Sequence, residues 1–477
     1  MWRGLGLVCL LASGIAQSAH GADAPASEQK AAQALRAQSR LGYGPNLSSQ
    51  ALVESGQDAR LWALAQVDAA RQASQSAPAI PADLAAFNAP LPSLFAQFRA
   101  GRQAALSAGR IADPGGYPFS RSVALGAASW RLQSCSRPDI ENPLLARMTE
   151  FWFNHFNVFV GKGIVRPYVG HYLVNAIRPH ALGRFEDLLL ASAKHPAMLF
   201  YLDQAQSVAE GSVGPLGISR GLNENYAREL LELHTLGAQG GYQQGDVRQL
   251  ARILTGWTVD PNDASGFRFV PRMHDQGNKV LLGRDIRFWN GQKEGEEAIR
   301  MLARHPSTAK RIALRMAEFF VADQPPPALV EHLAGVFLAS QGDIRQTMTA
   351  LVQSSEFWAE ENRLFKTPLD YACGTLAALG GVREQRDVLV TLGFLANTGQ
   401  PMHGWRTPDG YKTDSATWLA PESLTRRADL ALTLGRNAPE PSFLRPHMHP
   451  ARWERIAKEA PGMRAGLILA SPEFMYK

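Results

Sequence analysis

Cysteine is scarce: the 477-residue chain holds three, Cys9, Cys135 and Cys373. None sits in a C-x-x-C or C-x-x-C-H arrangement, so zinc ribbons, thioredoxin-type redox pairs and c-type haem attachment lack support. H-E-x-x-H is absent, which removes the zincin signature. The Glu-x-x-His pair of ferritin-like di-iron sites is absent too, because Thr235 stands three residues after Glu232 and Leu231 three before His234. No P-loop and no G-x-G-x-x-G fingerprint supports ATP or nicotinamide chemistry. Excess charge of one sign is small. Lys and Arg number 49 against 43 Asp and Glu, a formal +6, and the basic residues form no runs. Nucleic acid is therefore not an expected partner. Beyond the N-terminus no apolar run approaches the roughly 20 residues of a spanning helix.

What is present is globular composition, 45% hydrophobic and 19% charged, in a chain long enough to bury a large core without staples. Met1-Trp2-Arg3 gives a short positive start, residues 4–16 are apolar, and Ala19-His20-Gly21 supplies small residues around one larger one. This is the layout of a secretory signal peptide over 1–21, cut after Gly21, which places the protein in the periplasm or outside the cell. The competing reading is a membrane-anchored N-terminus; Cys9 lies in the apolar run without a lipoprotein box. Removal of the signal leaves Cys135 and Cys373. They are free to pair in an oxidising compartment, or to stay as two lone buried thiols.

Residues 22–40 are rich in Ala, Gln and Ser and read as a mobile leader. From Leu41 apolar residues recur at spacings of three and four, the helical period. The expected fold is mainly α: one large multi-helix body with a small β-hairpin insertion near 267–282. There Phe267-Arg268-Phe269-Val270 alternates and Lys279-Val280-Leu281-Leu282 can pair with it. The main helical domain is placed at 41–363 and a C-terminal helical segment, packed on it, at 364–477. The residues 223–236 read as a helix closed by Gly237, and Asp246 as the cap of the next. No internal repeat is visible.

Several blocks follow one another in a specific order: Trp152-Phe153-Asn154-His155-Phe156, Arg178-Pro179-His180, His195-Pro196-Ala197-Met198-Leu199, then Asn223-Glu224-Asn225-Tyr226-Ala227-Arg228-Glu229-Leu230 running on to Glu232-Leu233-His234-Thr235-Leu236-Gly237, Leu254-Thr255-Gly256-Trp257-Thr258, and His274-Asp275 with Gly277 and Lys279. Over roughly residues 40–477 this order resembles the bacterial exported protein family catalogued as domain of unknown function number 1800. The resemblance implies a secreted helical protein and no established activity. It also implies a second exported protein, related to sulfatases or alkaline phosphatases, as a partner. Two positions depart from the family pattern: Phe153 replaces a His and Gln204 an Asn. A family metal site that used the first His would be lost here.

At about 100° per residue, Tyr226, Ala227, Leu230, Leu231, Leu233 and His234 fall on one arc of their helix. Glu224, Asn225, Arg228, Glu229, Glu232 and Thr235 fill the other. The bland reading is a solvated face of i,i+4 ion pairs, Glu224 to Arg228 and Arg228 to Glu232. The functional reading is a cleft wall on which Glu229 and Glu232 bind a divalent cation or act as acid and base. His155, in a stripe with Met148, Trp152 and Phe159, is either a core histidine or the partner of a carboxylate from that helix, with Asn154 beside it. His274, Asp275 and Lys279 lie within six residues of one another in a loop, as a site for a metal, an anion or a reacting hydroxyl, or as a turn held by Asp. Gly217-Ile218-Ser219-Arg220-Gly221 matches G-x-S-x-G by letter only, because no strand precedes it. Trp405, in the turn-rich stretch 399–416, is placed to stack on a sugar ring or to tuck onto the body.

Two functions follow. One is an enzyme directed at an envelope polymer, catalytic through Arg228, Glu229, Glu232, His155, His274 and Asp275, with Asn154, Asn225, Lys279 and Trp405 binding; its metal and cofactor are left unknown, a divalent cation being compatible. The other is a non-catalytic binding or assembly protein that works with the exported partner.

Overall fold

The computed structural model describes residues 26–46, 57–109, 116–212, 221–286 and 291–477. The signal peptide, Cys9 and the first four residues of the G-x-S-x-G match lie outside the described residues. Helices α1 (Ala26–Leu41), α2 (Ala59–Ser74), α3 (Pro118–Ser136), α4 (Pro143–His155), α5 (Pro196–Tyr201), α6 (Glu224–Glu229), α7 (Gln244–Leu254), α8 (Gly291–Ala303), α9 (Pro306–Phe320), α10 (Pro368–Ala378) and α11 (Pro421–Gly435) carry the architecture, with further helices and turns between them. Mainly α is therefore the fold class. Among the described residues no helix is long and apolar enough to cross a membrane.

The many prolines start helices rather than break them. α3, α4, α5, α9, α10 and α11 all carry Pro in the first turn, where the missing N–H costs nothing and φ is already helical. Two of these starts share one device. His195 Nδ1 accepts the amide of Ala197, and His305 Nδ1 that of Ser307, each at 3.1 Å. An imidazole does the work of the usual Ser or Asp cap. The α7 start differs from expectation: Gln243 is the N-cap and Asp246 is the third helical residue of a capping box.

The stretch read as a leader is helical from Ala26. Its alanines are strong helix formers, and Ala34, Ala37 and Leu41 are buried. Arg40, also buried, donates to the Phe357 carbonyl at 2.6 Å. Composition alone hid this anchoring.

The β insertion is built from two pairs. β1 (Trp257–Val259) pairs antiparallel with β2 (Phe267–Phe269), Thr258 opposite Arg268. β3 (Lys279–Leu281) pairs with β4 (Arg284–Ile286), Val280 opposite Asp285. The 267–269 strand thus turns back on the segment before it instead of meeting 279–281, because Pro271–Met273 coils into a 3-10 turn between them.

Two hydrophobic clusters fill the molecule. One runs from α1 to Trp358; the other gathers Phe365, Tyr371, Leu395, Leu430 and Ile468 with Tyr43, Leu132 and Ala146 from earlier in the chain. Cys135 of α3 and Cys373 of α10 form a disulfide between segments 238 residues apart. At the end of the chain Phe365 bridges Tyr476.

Candidate functional site

Asn223 caps α6 by accepting the Tyr226 amide at 3.0 Å. The helix then widens into a π turn over Leu230–Thr235 and ends at Gly237, φ +87°. A π turn shifts every later side chain around the axis. Leu233 is consequently half-exposed and Thr235 fully buried, the reverse of the 100° wheel. Arg311 of α9 donates from Nε to the Leu233 carbonyl at 3.0 Å.

His155, at the end of α4, is 2% exposed and donates from Nε2 to the backbone carbonyl of His234 at 3.1 Å. Its partner is the peptide group of the Glu-rich helix and not a carboxylate. His155 Nδ1 and His234 Nε2 are buried without partners. Burial lowers both pKa values, His155 well below its usual range and His234 to about 3; the Arg315 and Arg311 charges add to the first and Arg311 to the second. Both lie inside the core.

His274, Asp275 and Lys279 do meet, but around partners of their own. His274 donates from Nδ1 to the Thr255 carbonyl at 2.8 Å, which leaves Nε2 to the Lys279 ammonium at 3.2 Å. Lys279 pairs with Glu294 of α8 at 2.7 Å, and Glu294 lies 3.3 Å from His274 Nε2. Asp275 takes both ends of the Arg252 guanidinium, at 2.8 and 3.0 Å, and the Gly277 amide at 2.8 Å. Arg252 accordingly holds the Asp275 carboxyl below its usual range against the opposing effect of burial. Gly291 opens α8 here because a Cβ would stand 2.4 Å from the His274 ring. This knot is nearly closed to solvent, with His274 and Lys279 at 4% and 2% exposure. It locks the β insertion onto α7 and α8, and it shares no hydrogen bond, ion pair or ring contact with His155, Glu229 or Glu232 among the described residues.

The outer side of α6 is different. The i,i+4 ion pairs do not form within 4.0 Å among the described residues. Arg228 instead donates to Gln244 at 2.7 Å, Gln244 donates to Glu224 at 2.8 Å, and the Tyr242 hydroxyl donates to Glu232 at 3.0 Å. Asn225 is exposed. Glu229 is half-buried, and its pKa is raised by burial and then by Glu232 and Asp409, against Arg228. Asp409 belongs to loop 399–416, which is strapped to the body. Asn154 and Tyr411 exchange two hydrogen bonds at 2.9 and 3.0 Å, Tyr411 donates its hydroxyl to Glu150 at 2.8 Å, and Tyr201 donates to the Arg406 carbonyl at 2.8 Å. Asn157 holds the carbonyls of Trp405 and Thr407 at 3.1 and 2.8 Å. Trp405 is half-buried with its indole N–H 3.4 Å from Asp409.

The third wall is α9, where Arg311, Arg315 and Glu318 follow one another at i, i+4 and i+7, one helical face. Burial lowers Arg311 to about 10, within the fields of Arg315, Glu318 and Glu232. Arg315 is lowered by burial and feels Glu318, Asp409 and Tyr411. Burial raises the Glu318 carboxyl. Glu229 and Glu232, the α9 residues and Asp409 are therefore near enough for their charges to act on one another where α6, α9 and loop 399–416 come together, a mixed-charge face referred to below as the groove. Of the sequence candidates, Arg228, Glu229 and Glu232 line the groove and Asn154 and Trp405 build its loop wall; His155 lies beneath it, and His274, Asp275 and Lys279 stand apart. Sequence reasoning missed Arg311, Arg315, Glu318 and Asp409. The α9 stripe was readable as a charged face, whereas nothing in the sequence points Asp409 at Glu229.

Such a groove suits recognition of a ligand with both charges, and Glu229 suits proton donation. Among the described residues no group of three or more His, Cys, Asp and Glu side chains is placed to hold a metal ion. The profile of a family described as "Protein of unknown function (DUF1800)" matches residues 36–476. No curated protein and no solved structure matches the chain.

Proposed function

This chain belongs to that family of unknown function, and from its own geometry we propose that it is a ligand-binding protein working outside the cytoplasm, with the groove between α6, α9 and loop 399–416 as its binding surface. One observation carries the reading. The histidines and the lysine that would run chemistry are withdrawn into the core or the His274 knot, while Arg315, Glu318 and Glu229 face the groove without ion-pair partners within 4.0 Å among the described residues. Unpaired charges at a partly dry surface favour an incoming counter-charge. The N-terminal signal pattern and the Cys135–Cys373 pair support export, since disulfides persist where thiols are oxidised. There the groove would meet the peptide parts of an envelope polymer or the tail of a second exported protein.

A second reading, an enzyme acting on an envelope polymer, is favoured by Glu229 alone. A carboxyl whose pKa is raised by burial and by neighbouring carboxylates is the kind of group that acts as a general acid.

The test is native mass spectrometry and thermal shift on the full exported chain and on the Glu229→Gln/Arg315→Gln variant. The panel holds amino acids, short peptides, sugars, inorganic anions and divalent cations. The binding reading expects one class to stabilise the wild type, to leave the variant unmoved and to be recovered intact. A ligand recovered chemically altered would transfer the groove to the enzyme reading. Equal binding by wild type and variant, or silence across the panel, would overturn both.

A further inference from the structure

At the α9 end of the groove the side chains enclose a cleft of about 200 Å³, lined by Arg315, Glu318, Asp323, Tyr411, Lys412 and Asp414 among others. Some of these charges are already employed. Asp414 caps the Ser415–Trp418 turn by accepting the Thr417 amide at 3.0 Å, and Asp323 Oδ2 accepts the Ser415 amide at 3.1 Å. Asp323 Oδ1 is buried with no partner. Tyr411 is fixed by Glu150 and Asn154.

Arg315 is the outlier. It is half-buried, yet it makes no hydrogen bond and no ion pair within 4.0 Å among the described residues. Glu318 lies one helical turn further on the same face and is also without a partner there. The two oppositely charged groups are neighbours on α9 but do not close on each other. A half-buried guanidinium without a protein partner is open to a ligand, and a carboxylate in its fork is the strongest partner it can take. A bare carboxylate beside it wants an ammonium donor. The cleft holds two cations, Arg315 and Lys412, and three carboxylates, Glu318, Asp323 and Asp414. A multiply charged anion or cation would leave one set unmet, whereas a ligand carrying both charges meets both.

We propose that this cleft binds a small zwitterion, an amino acid or the end of a very short peptide, with its carboxylate on Arg315 and its ammonium on Glu318. The cleft volume admits a ligand of that size. The proposal rests on the binding reading above and names the ligand class for it.

Isothermal titration of the full exported chain tests it, with L-alanine, dialanine, N-acetyl-alanine and alanine amide as probes. The zwitterions are expected to bind, and blocking either end to weaken binding by about ten-fold or more, because a charge-assisted pair is lost. Arg315→Gln should erase the penalty of amidation, and Glu318→Gln that of acetylation. Stronger binding of alanine than of dialanine identifies the free amino acid; the reverse identifies a peptide end. If either variant fails to fold, the blocked probes on the wild type still decide. Equal binding of blocked and free probes would overturn the proposal, as would silence of both zwitterions at millimolar concentration. If another panel class binds and is lost in Glu229→Gln/Arg315→Gln, the zwitterion is wrong and the binding reading stands.

Discussion

Arg147 of α4 and Asp370 of α10 form an ion pair with side chains 1% and 3% exposed, joining the two hydrophobic clusters. Around them lie Glu150, 3.5 Å from Arg147, and Lys477, 2.5 Å from Asp370. The Arg147 guanidinium also stacks over Tyr43 and Phe319. Taking one member out of such a pair leaves the other buried and bare, which costs about 3–5 kcal/mol. Asp370→Ala is expected to lose that much in urea unfolding, and Arg147→Ala a similar amount. The double variant should lose less than the sum, because the two changes share one interaction. Strict additivity would show that the pair is not coupled.

Cys135 and Cys373 should show no free thiol in the folded, oxidised chain until it is denatured and reduced. Cys373→Ser is expected to cost about 2–4 kcal/mol, chiefly by releasing the unfolded chain. Unfolding followed with and without reductant checks this: the wild type should lose the same amount on reduction, and the variant nothing.

Acid should destabilise the fold before its carboxylates protonate. Burial holds His234 and His403 at about 3 and His171 at about 4, and holds His155 and His195 well below the usual range. The unfolded chain, with histidines near 6.5, takes up protons that the native state refuses, so stability is complete above about 6.5 and falls by up to about 1.4 kcal/mol per pH unit per histidine below it. Lys366, lowered to about 7 by burial, acts in the same direction at higher pH, so that stability gains as pH climbs from about 7 towards the lysine's ordinary 10.5. The midpoint of thermal unfolding measured from pH 4 to pH 10 checks both windows. His234→Gln should shallow the acid limb, and an unchanged limb would remove that residue from the account.

The His274 knot should behave as a lock for the β insertion and not as chemistry. Glu294→Gln strips the counter-charge from buried Lys279 and is expected to cost about 3 kcal/mol. The loss should appear as faster amide exchange over β3 and β4, with the groove's ligand binding intact. A loss of binding without faster exchange would return the knot to the list of sites.

The helical body was legible because apolar residues recur at helical spacing along most of it. The insertion was legible as strand but not in its pairing, since the 3-10 turn at Pro271–Met273 depends on the knot that packs against it. Faces of α6 were read correctly as far as Leu231 and then failed at Leu233 and Thr235, where the π turn departs from a fixed angle per residue. His155 and His274 looked alike as polar residues in motifs; what separates them from Glu229 is burial and partner choice, which only contacts across the chain decide. Asp409 and Arg315 act on residues far from them in sequence, and a single sequence holds no record of that meeting.

The disulfide makes residues 135–373 a covalent ring with a tail at either end. Helices α6 and α9, two walls of the groove, lie within the ring, while loop 399–416, the third, lies on the trailing tail. A single backbone cut inside the ring leaves both helices tethered to one molecule. A cut between Cys373 and Tyr411 leaves the loop wall joined to the ring by noncovalent contacts alone. Of the three walls, only the loop wall can therefore be parted from the other two by a single backbone cut, and only if those contacts let go.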